Sequence, residues 1–199
     1  MSVGCDLLIA CALKKEAAAL RRHIDSDCEI IATGLGRQTT QLSLQEYFAR
    51  RQPSLFIFTG TAGQLDPSLE MGQIVCPEIW ELSNGPMSGK EEVVLDKSVL
   101  QSLQSIGYQA SGRGITVGWP VLRAQDRLRL FERTGASICD LEAVAALKTA
   151  ADLSIPALAL KVVSDTHESG ILGFWRNFDT NMRTLANHLS RLIGVIRDR

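Results

Sequence analysis

The sequence has few residues of the kinds that form disulfides or hold metals. Its five cysteines are odd in number and include no CxxC pair, and its three histidines, His23, His167 and His188, are dispersed. A zinc site needs Cys or His ligands at characteristic short spacings, and these residues have none. We therefore expect no bound metal, and reduced cysteines that pack as small apolar side chains.

Neither sign of charge is in excess, and no apolar run is long. The chain has 21 Lys and Arg against 22 Asp and Glu, and the basic residues are scattered. This balance favours neither nucleic acid nor an anionic membrane surface as a partner. No run reaches the roughly 18 apolar residues that a membrane helix needs, and no basic segment precedes a long apolar stretch at the N-terminus. We expect a soluble, cytoplasmic protein without a membrane span.

Short apolar runs alternate with stretches of helical period along the chain. The predicted strands are 5–12, 28–33, 54–59, 73–82, 115–117, 137–140 and 156–165, and the predicted helices are 14–23, 39–51, 96–106, 124–134, 142–153 and 177–197. No repeat, linker or low-complexity tract interrupts the pattern, so we expect a single domain over residues 1–199. The alternation predicts a three-layer α/β/α sandwich with a mixed, mostly parallel central sheet.

Three acids follow predicted strands, at the sheet edge where α/β proteins bind ligands. Glu16 follows the first strand, Glu142 follows the strand that ends at Asp140, and Asp165 ends the last strand. Glu16 can instead be a helix-terminal carboxylate, and Asp165 a capping or turn residue. Their convergence favours a site that cleaves a glycosidic bond, where two acids exchange protons and a third accepts hydrogen bonds from a diol.

Two glycine-rich segments lie at the same predicted edge. The segment 34–36 (GLG) lacks the third glycine of a dinucleotide fingerprint and follows the second strand rather than the first. The segment 60–63 (GTAG) lacks the Lys-Ser/Thr ending of a nucleoside triphosphate loop. We interpret 60–63 as a loop whose backbone N–H groups approach a ligand closely, with a simple turn as the alternative.

Five segments, taken in chain order, carry a resemblance to a known family. They are ACALKKEAAAL (10–20), ATGLGRQTT (32–40), FTGTAGQLDPSLEMGQIVCP (58–77), CDLEAVAAL (139–147) and VVSDTHE (162–168). Together they resemble the nucleoside phosphorylase and nucleosidase superfamily. Within it the chain is similar to the methylthioadenosine/S-adenosylhomocysteine nucleosidases and to the hopanoid-associated nucleosidases that act on adenosylhopane. The matches span most of residues 5–168.

The resemblance implies two catalytic acids, Glu16 to activate water and Asp165 to protonate the purine at N7. It also implies a set of residues around the sugar and the base: Thr61, Ala62, Gly63, Val121, Leu122, Leu141 and Glu142. In this set Glu142 holds the ribose hydroxyls, and the backbone of Leu122 reads the edge of the base. Val121 stands where an aromatic residue usually stacks on the base, and Leu141 where a methionine usually lies beneath the sugar.

The activity implied by the resemblance is hydrolysis of the base–ribose bond of an adenosine-type nucleoside, without a cofactor, by a homo-oligomer that we expect to be a dimer. Phe58 and Thr59 precede the glycine segment in place of a cation that would hold phosphate. Arg37 keeps phosphorolysis open as an alternative. The stretch 78–114 is shorter than in methylthioadenosine nucleosidases, which leaves the 5′ substituent open. Three further alternatives remain: an adenosylhopane nucleosidase or phosphorylase, a non-catalytic nucleoside-binding module, and a nicotinamide oxidoreductase.

Overall fold

The computed structural model describes residues 6–24, 28–83, 91–105 and 110–197. Within them the strands are β1 (Leu7–Cys11), β2 (Glu29–Ala32), β3 (Leu55–Gln64), β4 (Ile74–Val75), β5 (Ile79–Leu82), β6 (Glu91–Val94), β7 (Arg113–Thr116), β8 (Ala136–Asp140) and β9 (Ala157–Asp165). The helices are α1 (Lys14–His23), α2 (Arg37–Arg50), α3 (Lys97–Ser105), α4 (Ala124–Thr134), α5 (Ala143–Ala151) and α6 (Gly170–Arg197). Cys5, the predicted helix end at 106, and parts of the shortened stretch 78–114 lie outside the described residues.

The strands form one mixed sheet. Its main path runs β2-β1-β3-β8-β7-β5-β6, while β9 pairs with both β3 and β4. Parallel pairing joins β1 to β2 and β3, β3 to β9, and β7 to β5 and β8. Antiparallel pairing joins β3 to β8, β4 to β9, and β5 to β6. The mixed, mostly parallel sheet predicted from the sequence is confirmed.

The side chains of β1 show how the layers form. Leu7, Ile9 and Cys11 pack in one core cluster with residues of α1, α3 and α6. Leu8 and Ala10 pack in a second cluster with residues of α2 and α5. Since successive strand side chains point to opposite faces, helices cover both faces of this strand. This arrangement is the α/β/α sandwich.

β3 is longer than the sequence predicts. We predicted a strand ending at residue 59 and a loop at 60–63, but β3 continues through this segment to Gln64. Its far end has partners on both sides, because it pairs with β9 up to Gly63 and with β8 at Gly63 and Gln64. The loop interpretation is therefore wrong, and the edge of a paired strand carries the small residues. A pattern of residue types could not reveal pairing partners that lie about 75 to 100 positions away.

Three other elements differ from the prediction. The apolar run 73–82 forms two strands, β4 and β5, because Pro77 between them has no N–H for a sheet ladder. β6 was not predicted, since its sequence of two acids and two valines is not an apolar run. α6 begins at Gly170 rather than near 177, and Phe174 extends its apolar face toward the N-terminus. Among the described helices, none has the length and apolar character to cross a membrane.

Candidate active site

Glu16 is a buried carboxylate that connects α1 to the far half of β3. It occupies the third position of α1, is 2% exposed, and its Oε2 accepts the backbone N–H of Leu13 at 3.0 Å. Its Oε1 accepts both the backbone N–H of Thr61 at 2.9 Å and the Thr61 hydroxyl at 2.8 Å. The helix-end explanation thus accounts for one oxygen only. The other oxygen lies against the glycine segment.

The contact with the Glu16 carboxylate requires a glycine at position 60. Its φ of +130° is one that residues with a side chain rarely adopt, and a Cβ placed there would lie 2.9 Å from Oε1 of Glu16. A glycine is required because the strand backbone passes directly against the acid. The segment 60–63 therefore has two roles: it binds Glu16, and it presents small residues at the site.

Glu142 is held by the second glycine-rich segment. It is 5% exposed, and its Oε1 accepts the backbone N–H of Gly36 at 2.8 Å. Burial raises the pKa of Glu142 to about 7, and the neighbouring charge of Asp140 adds to this rise. Lys161 and the Gly36 N–H act in the opposite direction. Glu142 is thus placed to change protonation near neutral pH.

A buried ion pair supports the backbone that carries Glu142. Lys161 Nζ lies 2.9 Å from Asp140 Oδ2, and both side chains are 2% exposed. Asp140 also accepts the hydroxyl of Thr116 at 2.7 Å and the backbone N–H of Ala143 at 3.0 Å. Because a buried charge is tolerated only when it is paired and hydrogen-bonded, these contacts fix the start of α5. Glu142 is the residue just before that helix.

A β-bulge sets the position of Asp165. In the ladder of β3 with β9, Ala62 faces Val163 and Gly63 faces Asp165, so Ser164 is the extra residue. The Ser164 hydroxyl lies 3.1 Å from the carbonyl oxygen of Ala62 and 2.6 Å from Oδ1 of Asp165. A Cβ on Gly63 would lie 3.4 Å from Oδ2 of Asp165. The bulge therefore turns this carboxylate against the far end of the glycine segment.

Arg127, which the sequence reasoning did not single out, is paired with Asp165. It is 2% exposed, and its Nη2 donates to Asp165 Oδ2 in a buried ion pair. Nη1 donates to the carbonyl oxygens of Asp165 at 3.1 Å and Gln64 at 3.4 Å, and Nε donates to that of Val121 at 2.8 Å. One guanidinium thus joins the ends of β3 and β9 to the loop before α4. The available signal was its helical spacing from Leu130, which places a charge on the buried face of α4.

The predicted sugar and base residues range from buried to exposed. Val121 and Leu141 pack against the same small cluster, which includes Val117 and Cys139. The structure therefore brings these two predicted contacts to one place. The side chain of Leu122 is 58% exposed, so it is not part of this apolar surface. In the same loop Trp119 is 85% exposed, and sequence reasoning gave it no role.

His167 lies in the turn between β9 and α6. Gln64 Oε1 accepts the backbone N–H of His167 at 2.8 Å and lies 2.6 Å from its Nδ1. An amide oxygen only accepts, and Gln64 Nε2 donates to the carbonyl of Leu69 at 2.5 Å, so Nδ1 carries the hydrogen. Burial and the charge of Arg127 lower the pKa of His167. The ring is thus held neutral, and its buried Nε2 has no hydrogen-bond partner among the described residues.

The described residues include no group of three or more His, Cys, Asp or Glu side chains that is arranged to hold a metal ion. Cys11, Cys76 and Cys139 are free thiols. Burial raises the pKa of the Cys76 and Cys139 thiols to about 12. These two thiols are therefore neutral at physiological pH and do not act as nucleophiles.

The sequence profile described as the phosphorylase superfamily matches residues 26–195. The chain belongs to the phosphorylase superfamily. The matched residues include Glu142, Asp165, Arg127 and the whole of β3, and they leave Glu16 just outside.

Solved structures share this phosphorylase-superfamily fold at low identity. Futalosine hydrolase of Helicobacter pylori is 12% identical with a TM-score of 0.84, over 94% of this chain and 97% of that one. A 5′-methylthioadenosine/S-adenosylhomocysteine nucleosidase of the same organism is 13% identical with a TM-score of 0.85, over 94% and 97%. The corresponding nucleosidase of S. pneumoniae is 18% identical with a TM-score of 0.81, over 96% and 99%. At these identities the likeness concerns the fold.

Arg37, the alternative phosphate ligand considered from the sequence, is the first residue of α2. It lines a cavity of about 500 Å³ together with Leu35, Val144 and Lys148. Glu16, Glu142 and Asp165 are not among the residues that line this cavity. The lining does include Gly36, whose N–H binds Glu142, so the cavity adjoins the candidate site through that residue.

Proposed function

We propose that this protein hydrolyses the bond between the base and the ribose of purine nucleosides. The observation that carries the proposal is the placement of two buried carboxylates along one short strand segment. Glu16 lies against Gly60 and Thr61, and Asp165 lies against Gly63. Three residues of strand span about 10 Å, which leaves room for a ribose with water on one side and the base on the other.

Each acid then has a chemical task. Glu16 takes a proton from the attacking water, and its hydrogen bonds to Leu13 and Thr61 fix the direction of its remaining lone pairs. Asp165 is a carboxylate paired with Arg127 in the free protein, so it takes a proton from water and passes it to N7 of the departing purine. General acid and general base catalysis each contribute about 10²- to 10⁴-fold to a rate. Acids at the two ends of the segment therefore serve opposite sides of one bond.

Glu142 completes the site in this proposal. A carboxylate that accepts both ribose hydroxyls orients the sugar, and its negative charge stabilises the cationic sugar of an oxocarbenium-like transition state. Its pKa of about 7 in the free protein would fall on binding, because hydroxyl donors favour the charged form. Thr61, Ala62 and Gly63 lie between the two catalytic acids as the floor beneath the sugar.

The buried cations favour water over phosphate as the nucleophile. In the described part of the chain, the buried Lys and Arg side chains are Lys161 and Arg127, and each contacts a carboxylate. A phosphorylase holds its anionic substrate with cationic donors. Phosphate at this site would have to compete with Asp140 and Asp165 for both cations.

The relatives support a nucleoside substrate. The similar structures include a futalosine hydrolase and methylthioadenosine nucleosidases, and one Helicobacter pylori variant holds 5′-methylthioadenosine in its active site. From the sequence resemblance we infer an adenosine-type nucleoside with an undetermined 5′ group. Hydrolysis of the base–ribose bond is the part that the three acids support most directly.

The test is product analysis with and without phosphate. Purified protein is incubated with a panel of purine nucleosides, and the free base and the sugar are separated by chromatography and identified by mass. We expect free base and ribose in phosphate-free buffer, and loss of both products for Glu16→Gln. Ribose 1-phosphate formed only when phosphate is added would show a phosphorylase, and tight binding without base release would show a binding module.

A further inference from the structure

Arg127 supplies hydrogen-bond donors at the end of the candidate site where the base would lie. Arg127 occupies Oδ2 of Asp165 and the carbonyl oxygen of Val121, the two acceptors that flank it on β9 and on the loop before α4. The hydrogen bonds of Arg127 use four of the five N–H groups of an arginine. The second N–H of Nη2 has no partner among the described residues and is the donor left for a ligand at Asp165.

This guanidinium cannot easily turn away from a ligand. Nε and Nη1 are bound to backbone carbonyls on two different elements, at Val121 and at Gln64. The side chain is 2% exposed, so packing also restricts it. A ligand at Asp165 therefore meets a fixed donor rather than an adaptable one.

The position of this donor relates to one feature of a purine. N7 and the substituent at position 6 lie side by side on the same edge of the base. In a 6-oxopurine both are acceptors, whereas in a 6-aminopurine the substituent is a donor. If N7 lies at Asp165, the 6-substituent lies toward the guanidinium that holds the same carboxylate. An amino group at position 6 would place its N–H donor against an N–H donor of Arg127.

We propose that Arg127 is a specificity-determining residue that selects purines with a 6-oxo group over those with a 6-amino group. The inference rests on the proposed function, because that function places N7 at Asp165. It names the base class, hypoxanthine-like or guanine-like, and it opposes the adenosine-type base expected from the sequence. In base recognition arginine donates to O6 of a 6-oxopurine, whereas the amide of Asn or Gln accepts from N6 of adenine.

The first experiment needs no variant. Base release is measured for matched nucleosides that differ only at position 6, namely inosine with adenosine, and 5′-methylthioinosine with 5′-methylthioadenosine. We expect kcat/KM to be about tenfold or more higher for the 6-oxo member of each pair that is cleaved. Equal values, or a preference for the 6-amino member, would overturn the role of Arg127.

The second experiment compares two arginines of α4. Arg127→Gln introduces an amide that offers both a donor and an acceptor, so the 6-oxo to 6-amino ratio of kcat/KM should fall at least severalfold. Arg129→Gln is the control, because Arg129 is 67% exposed and pairs only distantly with Asp126, at 3.9 Å. A general loss of structure lowers kcat/KM for both substrates by the same factor and leaves their ratio unchanged. An unchanged ratio in folded Arg127→Gln contradicts the proposal.

Failure of the proposed function is distinguishable from failure of this inference. If no nucleoside is cleaved, hydrolysis is rejected, and calorimetry with the free bases hypoxanthine and adenine then tests the selection alone. Binding of hypoxanthine about tenfold tighter than adenine supports selection by Arg127. Equal binding, tighter adenine, or no binding of either base rejects it.

Discussion

The carboxylate of Glu142 accepts the backbone N–H of Gly36 across 106 positions of the chain. This bond brings the segment 34–36 and the end of β8 to one point, although neither has a ligand-binding pattern that is specific by itself. Gly36 has a φ of +88°, so its N–H direction depends on a backbone that favours glycine. The site is thus assembled from segments whose relation only the folded sheet reveals.

The first prediction concerns the pH dependence of stability. The pKa of Glu142 rises on folding from near 4.5 to about 7, so between these values the folded state holds a proton that the unfolded state has released. The stabilisation is therefore fully present below about pH 4.5 and is lost as pH rises through about 7. The shift corresponds to roughly 3 kcal/mol. Thermal unfolding measured between about pH 5 and pH 8 should show a smaller decline for Glu142→Gln than for the wild type.

The comparison requires the two proteins under identical buffers, with Glu46→Gln as an exposed control on α2. The control should follow the wild-type curve. Parallel curves for the wild type and Glu142→Gln would show that Glu142 titrates in the folded state as it does in the unfolded chain.

The second prediction concerns the buried ion pair beneath Glu142. Lys161→Met leaves the Asp140 charge buried without its cation, so the free energy of unfolding should fall by about 3–5 kcal/mol. Adding Asp140→Asn should restore part of this loss. Lys148→Met is the matched control, because Lys148 pairs with Glu91 at the surface and such pairs contribute less than about 1 kcal/mol. Urea denaturation measures all three, and equal losses for Lys161→Met and Lys148→Met would contradict the prediction.

The third prediction concerns the contact between the strand and Glu16. Gly60→Ala places a methyl group 2.9 Å from Oε1 of Glu16 at a φ of +130°, so the strand and the carboxylate must move apart. Activity should fall by at least about tenfold, because small displacements of a general base are costly. Melting temperature should fall as well.

Gly194→Ala is the control for that change. Gly194 lies in α6 with no atom within 4 Å of its added Cβ, and alanine is favoured over glycine in a helix by up to about 1 kcal/mol. It should melt at or above the wild-type temperature with full activity. Full activity in Gly60→Ala would remove the contact with Glu16 from the mechanism.

The fold was predictable because its signals are local. Buried parallel strands are apolar runs and their connecting helices have a different period, so the order of elements follows from the chain itself. The expectation that Glu16, Glu142 and Asp165 share one edge came from the rule that parallel strands end together. Their chemical roles, the single-domain organisation, the cytoplasmic location and the homo-oligomer remain predictions.

The features that the sequence did not predict are those that depend on distant partners. The extension of β3 depends on pairing with β8 and β9, and the bulge at Ser164 depends on the register between two strands. The ion pair of Arg127 with Asp165 joins residues 38 positions apart. In a sequence, a buried arginine in a helix differs from an exposed one only in its spacing from apolar residues. Contacts of this kind appear only once the strands are placed.

The last prediction concerns the charge of Asp165. The variant Asp165→Asn keeps the size of the side chain and removes its charge. The pairing with Arg127 predicts a lower melting temperature, because the guanidinium loses the charge that compensates it in a buried position. Asn keeps an oxygen that can accept from Arg127, so the fold itself should persist.

Melting temperatures alone therefore cannot separate a structural role of Asp165 from an acid role. The dependence of the rate on the leaving group can separate them. Base release is measured for one nucleoside with a poor leaving group and one with an activated group, using the wild type and Asp165→Asn below the melting temperature of both. An acid role predicts a loss of about 10² or more for the poor leaving group and a much smaller loss for the activated one, since only the former needs the proton. A structural role lowers both rates by the same factor. Equal losses would thus remove Asp165 as the proton donor and leave it as the partner of Arg127.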